Sequence, residues 1–203
     1  DIQVFKLKLM KANHASQKYR LEDNITQHYP HQIAIFKERI EGFTADMEKC
    51  AKNKPEDKEQ FFMQVGGKPY TDKKEAGTAI IAMCKEIKGI NASADVGEYL
   101  GFKLNVTFDS FNNKFVMNVK GAMSHPMEVG TDPLGNITRI NNALEAMPAQ
   151  LEEAQTKLSN VEHQLETAKA EVNKPFAQEA ELSEKLERLA ELNALLNMDE
   201  KGD

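Results

Sequence analysis

The chain has 203 residues, 40% of them apolar, with 26 basic and 32 acidic side chains for a net charge of −6. That supplies a core for one or two domains, but no run approaches the roughly 18 apolar residues of a membrane span. The first residues also lack the charged-then-apolar design of a signal peptide, so a cytoplasmic chain with no membrane partner is expected. Because it starts at Asp1 without an initiator Met, it reads as a piece of a longer polypeptide.

The charge is graded. Residues 1–54 carry ten basic and seven acidic side chains, residues 55–136 nine and eleven, and residues 137–203 seven and fourteen. The acidic last third is a poor surface for nucleic acid, which calls for Lys and Arg against phosphate. The first two thirds remain open to it.

In chain order, a helix is expected from about Ile2 to Gln27, with Pro30 in the first turn of a second helix. That second helix carries Ile33, Phe36, Ile40, Phe43, Met47 and Cys50 three and four apart, and stops before Pro55. The period then changes. Phe61, Met63 and Val65, alternating with Phe62 and Gln64, read as a short strand ended by Gly66-Gly67, and Thr71 as the cap of a helix stopped by Gly89. A strand is expected over 96–100, ahead of the clearest hairpin in the chain. Phe102, Leu104, Val106 and Phe108 alternate with polar residues, and Phe115, Met117 and Val119 do so after a turn at Ser110–Asn113. Met127 and Val129 suggest one more strand, held to an edge by Pro126.

From Ile137 to Val172 the chain then sets eleven apolar residues three and four apart: Ile137, Ile140, Leu144, Met147, Leu151, Ala154, Leu158, Val161, Leu165, Ala168 and Val172. This is the repeat of a helix packed on a helix, with a kink or break expected at Pro148. Asn173-Lys174-Pro175 predicts a reversal into a last helix bearing Leu182, Leu186, Leu189, Leu192 and Leu196. The fold expected is α+β: a head over 58–136, on a long antiparallel, coiled-coil-like helical stalk built from an N-terminal arm (1–57) and a C-terminal helical hairpin (137–203). A homodimer through the helical seam is an open alternative to packing within one chain.

No catalytic constellation is evident. His28 and His31 lack a third ligand at a recognisable spacing, and Ser124-His125-Pro126 is not a nucleophile motif. Gly66-Gly67-Lys68 lacks the rest of a phosphate loop. Cys50 and Cys84 read as buried thiols. No metal, cofactor or catalytic residue is therefore expected. The hairpin gives the one candidate surface. Pairing Asp109 with Lys114 aligns its apolar residues and sets Lys103 opposite Lys120, Asn105 opposite Asn118 and Thr107 opposite Val116. A Lys/Asn/Thr ribbon suits phosphates and base edges, so Lys103, Asn105, Lys114, Asn118 and Lys120 are the candidate DNA-binding residues. The same face also reads as an ordinary solvated surface.

Several stretches resemble one source: Gly97-Glu98-Tyr99-Leu100-Gly101-Phe102-Lys103, Phe108-Asp109-Ser110-Phe111, Gly130-Thr131-Asp132-Pro133-Leu134-Gly135-Asn136, Lys174-Pro175-Phe176 and Leu195-Leu196-Asn197-Met198. The resemblance is to the C-terminal end of very large proteins of bacterial conjugative transposons and plasmids. Those proteins join a SNF2-like helicase region to an adenine-specific DNA methyltransferase region. The motifs of neither enzyme occur in this chain. The resemblance implies an accessory module that assists DNA engagement, with duplex DNA and the remainder of the parent polypeptide as partners. The competing expectation is a protein-interaction or dimerisation module with no DNA contact.

Overall fold

A computed structural model describes the backbone of residues 2–199 and the side chains of residues 2–196. Its elements are α1 (Ile2–Asp23), a π-helical turn (Asn24–His28), α2 (Tyr29–Asn53), β1 (Met63–Val65), β2 (Lys68–Tyr70), α3 (Lys73–Glu86), β3 (Ser93–Tyr99), β4 (Phe102–Asp109), β5 (Lys114–Lys120), β6 (Ser124–Val129), α4 (Pro133–Glu145), α5 (Met147–Val172) and α6 (Glu179–Asp199). The fold is α+β. Ile35–Lys157 form one compact unit, and Asp1–Ala34 with Leu158–Asp203 form a second, helical one. The unit boundaries thus fall inside α2 and α5 rather than near 57 and 137. The reason is packing: Phe43, Met47 and Cys50 from α2, and Ile137, Ile140, Leu144 and Met147 from the following helices, belong to the core of the sheet.

Pro30 lies in the first turn of α2 as expected, but a π-helical turn rather than a break joins that helix to α1. A proline ring crowds the carbonyl four residues back and offers no N–H, and the wider π turn accommodates both. There the Tyr29 N–H donates to the Asn24 carbonyl, five residues back. Pro148 does interrupt its helix as expected. Ala146 is a turn between α4 and α5, and Pro148 occupies the first turn of α5, where an absent N–H costs nothing. All eleven residues of the long seam are buried or half-buried. Asp72 rather than Thr71 caps α3, accepting from Glu75 N at 2.9 Å, and that helix ends at Glu86, short of Gly89.

The six strands form one antiparallel sheet in the order β2-β1-β3-β4-β5-β6. The β4–β5 register is the one read from the alternation, from Lys103↔Lys120 through Asp109↔Lys114. Pro126 sits in β6 at the sheet edge, where a missing donor is tolerated. β3 begins at Ser93, earlier than the expected 96, because Ser93, Ala94 and Asp95 continue the pairing with β4 ahead of a bulge between Asp95 and Gly97. One face of the sheet carries Phe102, Leu104, Val106, Met117 and Val119, all fully buried beneath helices.

The stretch from Gly130 to Asn136 locks α4 to that sheet. Asp132 caps α4 by accepting from Gly135 N at 2.7 Å, with Pro133 as its first residue. The fully buried Asn136 side chain binds both the N–H and the carbonyl of Gly130, at 2.7 and 3.0 Å. Its amide replaces a strand neighbour that the chain no longer supplies.

Cys50 and Cys84 are buried free thiols, and burial pushes the Cys84 thiol up to about 11. Only about one Cys84 in a thousand is then thiolate at pH 8, the reactive form. The native chain is expected to resist alkylation and to take two labels once unfolded in urea. Mass spectrometry after a short iodoacetamide pulse checks this. Rapid labelling of both thiols in the folded chain would contradict the packing around them.

Candidate functional site

No helix of the described residues is long and apolar enough to cross a membrane. The sheet face turned away from the core is built in cross-strand rows. Gln64, Glu98, Lys103, Lys120 and Ser124 form the first, running across β1, β3, β4, β5 and β6. Asp95, Asn105, Asn118 and Pro126 form the second, and Ser93, Thr107, Val116 and Glu128 the third. Asp109 and Lys114 close the hairpin end. The five candidate residues therefore share one face, but they do not act alike.

Asn105 is buried among polar neighbours. Its Nδ2 donates to Asp95 Oδ1 at 2.7 Å, and its Oδ1 accepts from Ser93 Oγ at 3.1 Å. Lys114 donates to Glu128 Oε2 at 2.8 Å, and that bond raises the Lys114 pKa. Lys114 also lies six residues along the strand from Lys120, a distance of about 20 Å. Asn118 accepts from Ser124 Oγ at 3.1 Å, leaving its amide N–H groups available. Lys103 and Lys120 are exposed cross-strand partners with no ion pair among the described residues, although Glu98 is paired with Lys103 on the other side. The centre of the candidate surface is thus Lys103, Lys120 and Asn118. Asn105 and Lys114 are already engaged by Asp95 and Glu128.

At the hairpin tip, Asp109 Oδ1 accepts from the N–H groups of Phe111 and Asn112, each at 3.1 Å, while its Oδ2 accepts from Asn112 Nδ2 at 2.7 Å. These bonds, those from Asn112 foremost, hold the Asp109 carboxyl below its usual range. They fix a turn from which Phe111 projects, 94% exposed.

A pair with catalytic chemistry was not anticipated from the sequence. Asp46 of α2 accepts from His125 Nε2 at 2.8 Å, and both side chains are essentially sealed, at 0% and 2% exposure. Asp46 also accepts from Ala122 N at 2.6 Å and Met123 N at 2.8 Å. The His125 ring has those of Phe43 and Phe102 beside it, each centroid 6.0 Å away, and its Nδ1 has no hydrogen-bond partner among the described residues. Gly121 makes room for the arrangement, since a Cβ there would stand 2.1 Å from Asp46 Oδ1. Closed to solvent and carrying three donors on one carboxylate, the pair serves as a clamp joining α2 to the β5–β6 turn.

An open cleft of about 770 Å³ lies beside β1 and the β3–β4 turn, with Phe61, Phe62, Tyr99 and Leu100 among its walls. Leu100 and Gly101 both take positive φ, 50° and 81°, in a two-residue reversal that only a mirror-image turn allows. Gly97 allows β1 to approach, because a Cβ there would meet Gln64 O at 2.0 Å. Tyr99 donates its hydroxyl to Asn141 Oδ1 at 2.9 Å. Each glycine and aromatic of the stretch from Gly97 to Phe102 thus has a folding role.

The chain matches no protein family model, no curated protein and no solved structure.

Proposed function

We propose that this chain is a non-catalytic accessory module of a mobile-element DNA helicase–methyltransferase, and that it supplies an auxiliary contact to duplex DNA. The observation that carries the reading is the exposed Lys103–Lys120 pair on the open sheet face. Like charges directly opposed across two strands cost roughly 0.2–1 kcal/mol, and no carboxylate bonds to either lysine among the described residues. A phosphate on each lysine would remove that cost, with Asn118 beside them offering N–H donors. The helical unit would serve as the spacer that sets this contact relative to the rest of the parent polypeptide.

Magnitude defines the role. Two neutralised phosphates give a log–log salt slope of about −2, or about tenfold weaker binding between 50 and 200 mM salt. A protein making six to ten such contacts loses roughly 10³–10⁵ over the same range. Titrating a fluorescent duplex with the chain at several salt concentrations is expected to give weak binding with a slope near −2. A flat salt response, or no binding at 50 mM salt, would remove the DNA contact.

A second reading, a protein-interaction or homodimerisation module, is favoured by the acids Asp95, Glu98 and Glu128 on the same face and by the net charge of −6. Sedimentation across micromolar concentrations tests its homodimer form.

A further inference from the structure

Helix α1 carries apolar residues on two opposite sides. Its inner side buries Val4 and Leu7. This side also places Lys11 on Glu179 of α6 at 2.6 Å and Gln3 against Lys185 of α6 at 2.8 Å, so that the two helices run antiparallel. At about 3.6 residues per turn, the other side carries Ile2, Phe5, Leu9, Ala12, Ser16 and Tyr19. These residues are spaced three, four, three, four and three apart, and every one of them is exposed. Ile2, Phe5 and Tyr19 are 76%, 68% and 73% exposed. Isolated surface apolar residues need no explanation. Here an unbroken heptad spacing runs for about 26 Å, and the small Ser16 is its one polar member, so the stripe is a seam.

We propose that this outer seam of α1 docks an acidic amphipathic helix of a protein partner, in coiled-coil fashion. Charge selects that occupant. Lys6, Lys8 and Arg20 flank the seam, and residues 2–21 contain no acid at all. A second copy of α1, laid parallel or antiparallel over these residues, therefore brings no carboxylate to Lys6 or Lys8 and sets basic helix against basic helix. A helix with glutamates at the flanking positions satisfies both the seam and its charges. The inner side of α1 already receives such a helix, since α6 presents leucines together with Glu179, Glu181, Glu184, Glu187 and Glu191. A membrane surface fits less well. Ala12 and Ser16 make the stripe narrow and shallow towards its C-terminal end, while a bilayer favours bulky apolar residues across a wide face. This docking does not depend on the DNA contact, which lies on β4 and β5.

The test uses the full chain and two labelled synthetic helices, each with leucines at heptad spacing, one flanked by glutamates and the other by lysines. Fluorescence anisotropy is expected to show the glutamate peptide binding roughly tenfold or more tighter than the lysine peptide. The doubly substituted Phe5→Glu/Leu9→Glu chain is expected to lose that binding. Both positions are exposed, and unchanged circular dichroism would verify the fold. Equal binding of the two peptides, or undiminished binding by the variant, would overturn the proposal. So would dimerisation of the wild-type chain that Phe5→Glu/Leu9→Glu abolishes, which assigns the seam to a second copy. Binding to anionic phosphatidylserine vesicles without peptide selectivity would assign it to a membrane surface instead.

Discussion

Replacing Asp46 with alanine is expected to lower folding stability by about 3–5 kcal/mol, because it strands three buried hydrogen-bond donors at roughly 1–3 kcal/mol each. The carboxylate is fully buried and accepts from Ala122 N, Met123 N and His125 Nε2. Alanine leaves two backbone donors and an imidazole without a partner in a closed site, and each retains its desolvation cost. It also opens a void between α2 and the β5–β6 turn. Asp46→Asn keeps one acceptor oxygen and turns an NH₂ towards a remaining donor, so a smaller loss of about 1–3 kcal/mol is expected. Urea unfolding followed by circular dichroism measures both. An alanine variant within about 1 kcal/mol of the parent chain would show that the clamp contributes little.

The second large effect is at Gly77, where two forces oppose each other. In mid-helix, alanine is favoured over glycine by about 1 kcal/mol, which alone predicts a more stable chain. Packing predicts the reverse. A Cβ on Gly77 would stand 2.1 Å from the carbonyl oxygen of Pro133 and 2.6 Å from its carbon. Those are backbone atoms in the first turn of α4, held by the Asp132 cap and the Asn136–Gly130 bonds. They cannot rotate away as a side-chain tip can. Separating α3 from α4 would disturb the helical cover of the sheet, and overpacking of this kind costs typically about 1–3 kcal/mol. Gly77→Ala is therefore expected to unfold at lower urea concentration than the parent. A variant stabilised by the substitution would mean that α3 and α4 are not in close contact.

Much of this was legible in the chain because one face of each element is buried. A strand with a single buried face admits only one parity, so alternation together with the turn pairing Asp109 and Lys114 led to the β4–β5 register seen at all seven paired positions. The eleven-residue seam was legible for the same reason at helical period. The unit boundaries were not, because a heptad stripe shows that a side is covered without showing by what. Ile140 and Leu144 pack on the sheet, whereas Leu165 and Ala168 belong to the helical unit, with one uninterrupted repeat through both. The outer stripe of α1 was masked by the apolar residues on its opposite side, which blur the period of each, and by Ser16 within it.

The Asp46–His125 clamp left a signal that could have been read. Asp46 lies three residues after Phe43 and four before Cys50, on the apolar side of α2, while His125 shares its strand parity with Met127 and Val129. Two polar residues at inward positions need partners, and each was the other's. The candidate DNA surface was legible as a face but not as a site. The bonds from Asn105 to Asp95 and from Lys114 to Glu128 depend on β3 and β6 flanking the hairpin, and alternation within one hairpin carries no information about its neighbours.

Charge reversal at both Lys103 and Lys120 tests most directly the proposal that the two lysines hold phosphate. Both side chains are exposed, so Lys103→Glu/Lys120→Glu should keep the fold of the parent chain by circular dichroism. Titrated against the same fluorescent duplex at 50 mM salt, the variant is predicted to lose nearly all binding. Any residual binding should show a salt slope reduced by about two. A folded variant that binds duplex as tightly as the parent, with the same slope, would contradict the account and remove this face from any role in DNA engagement.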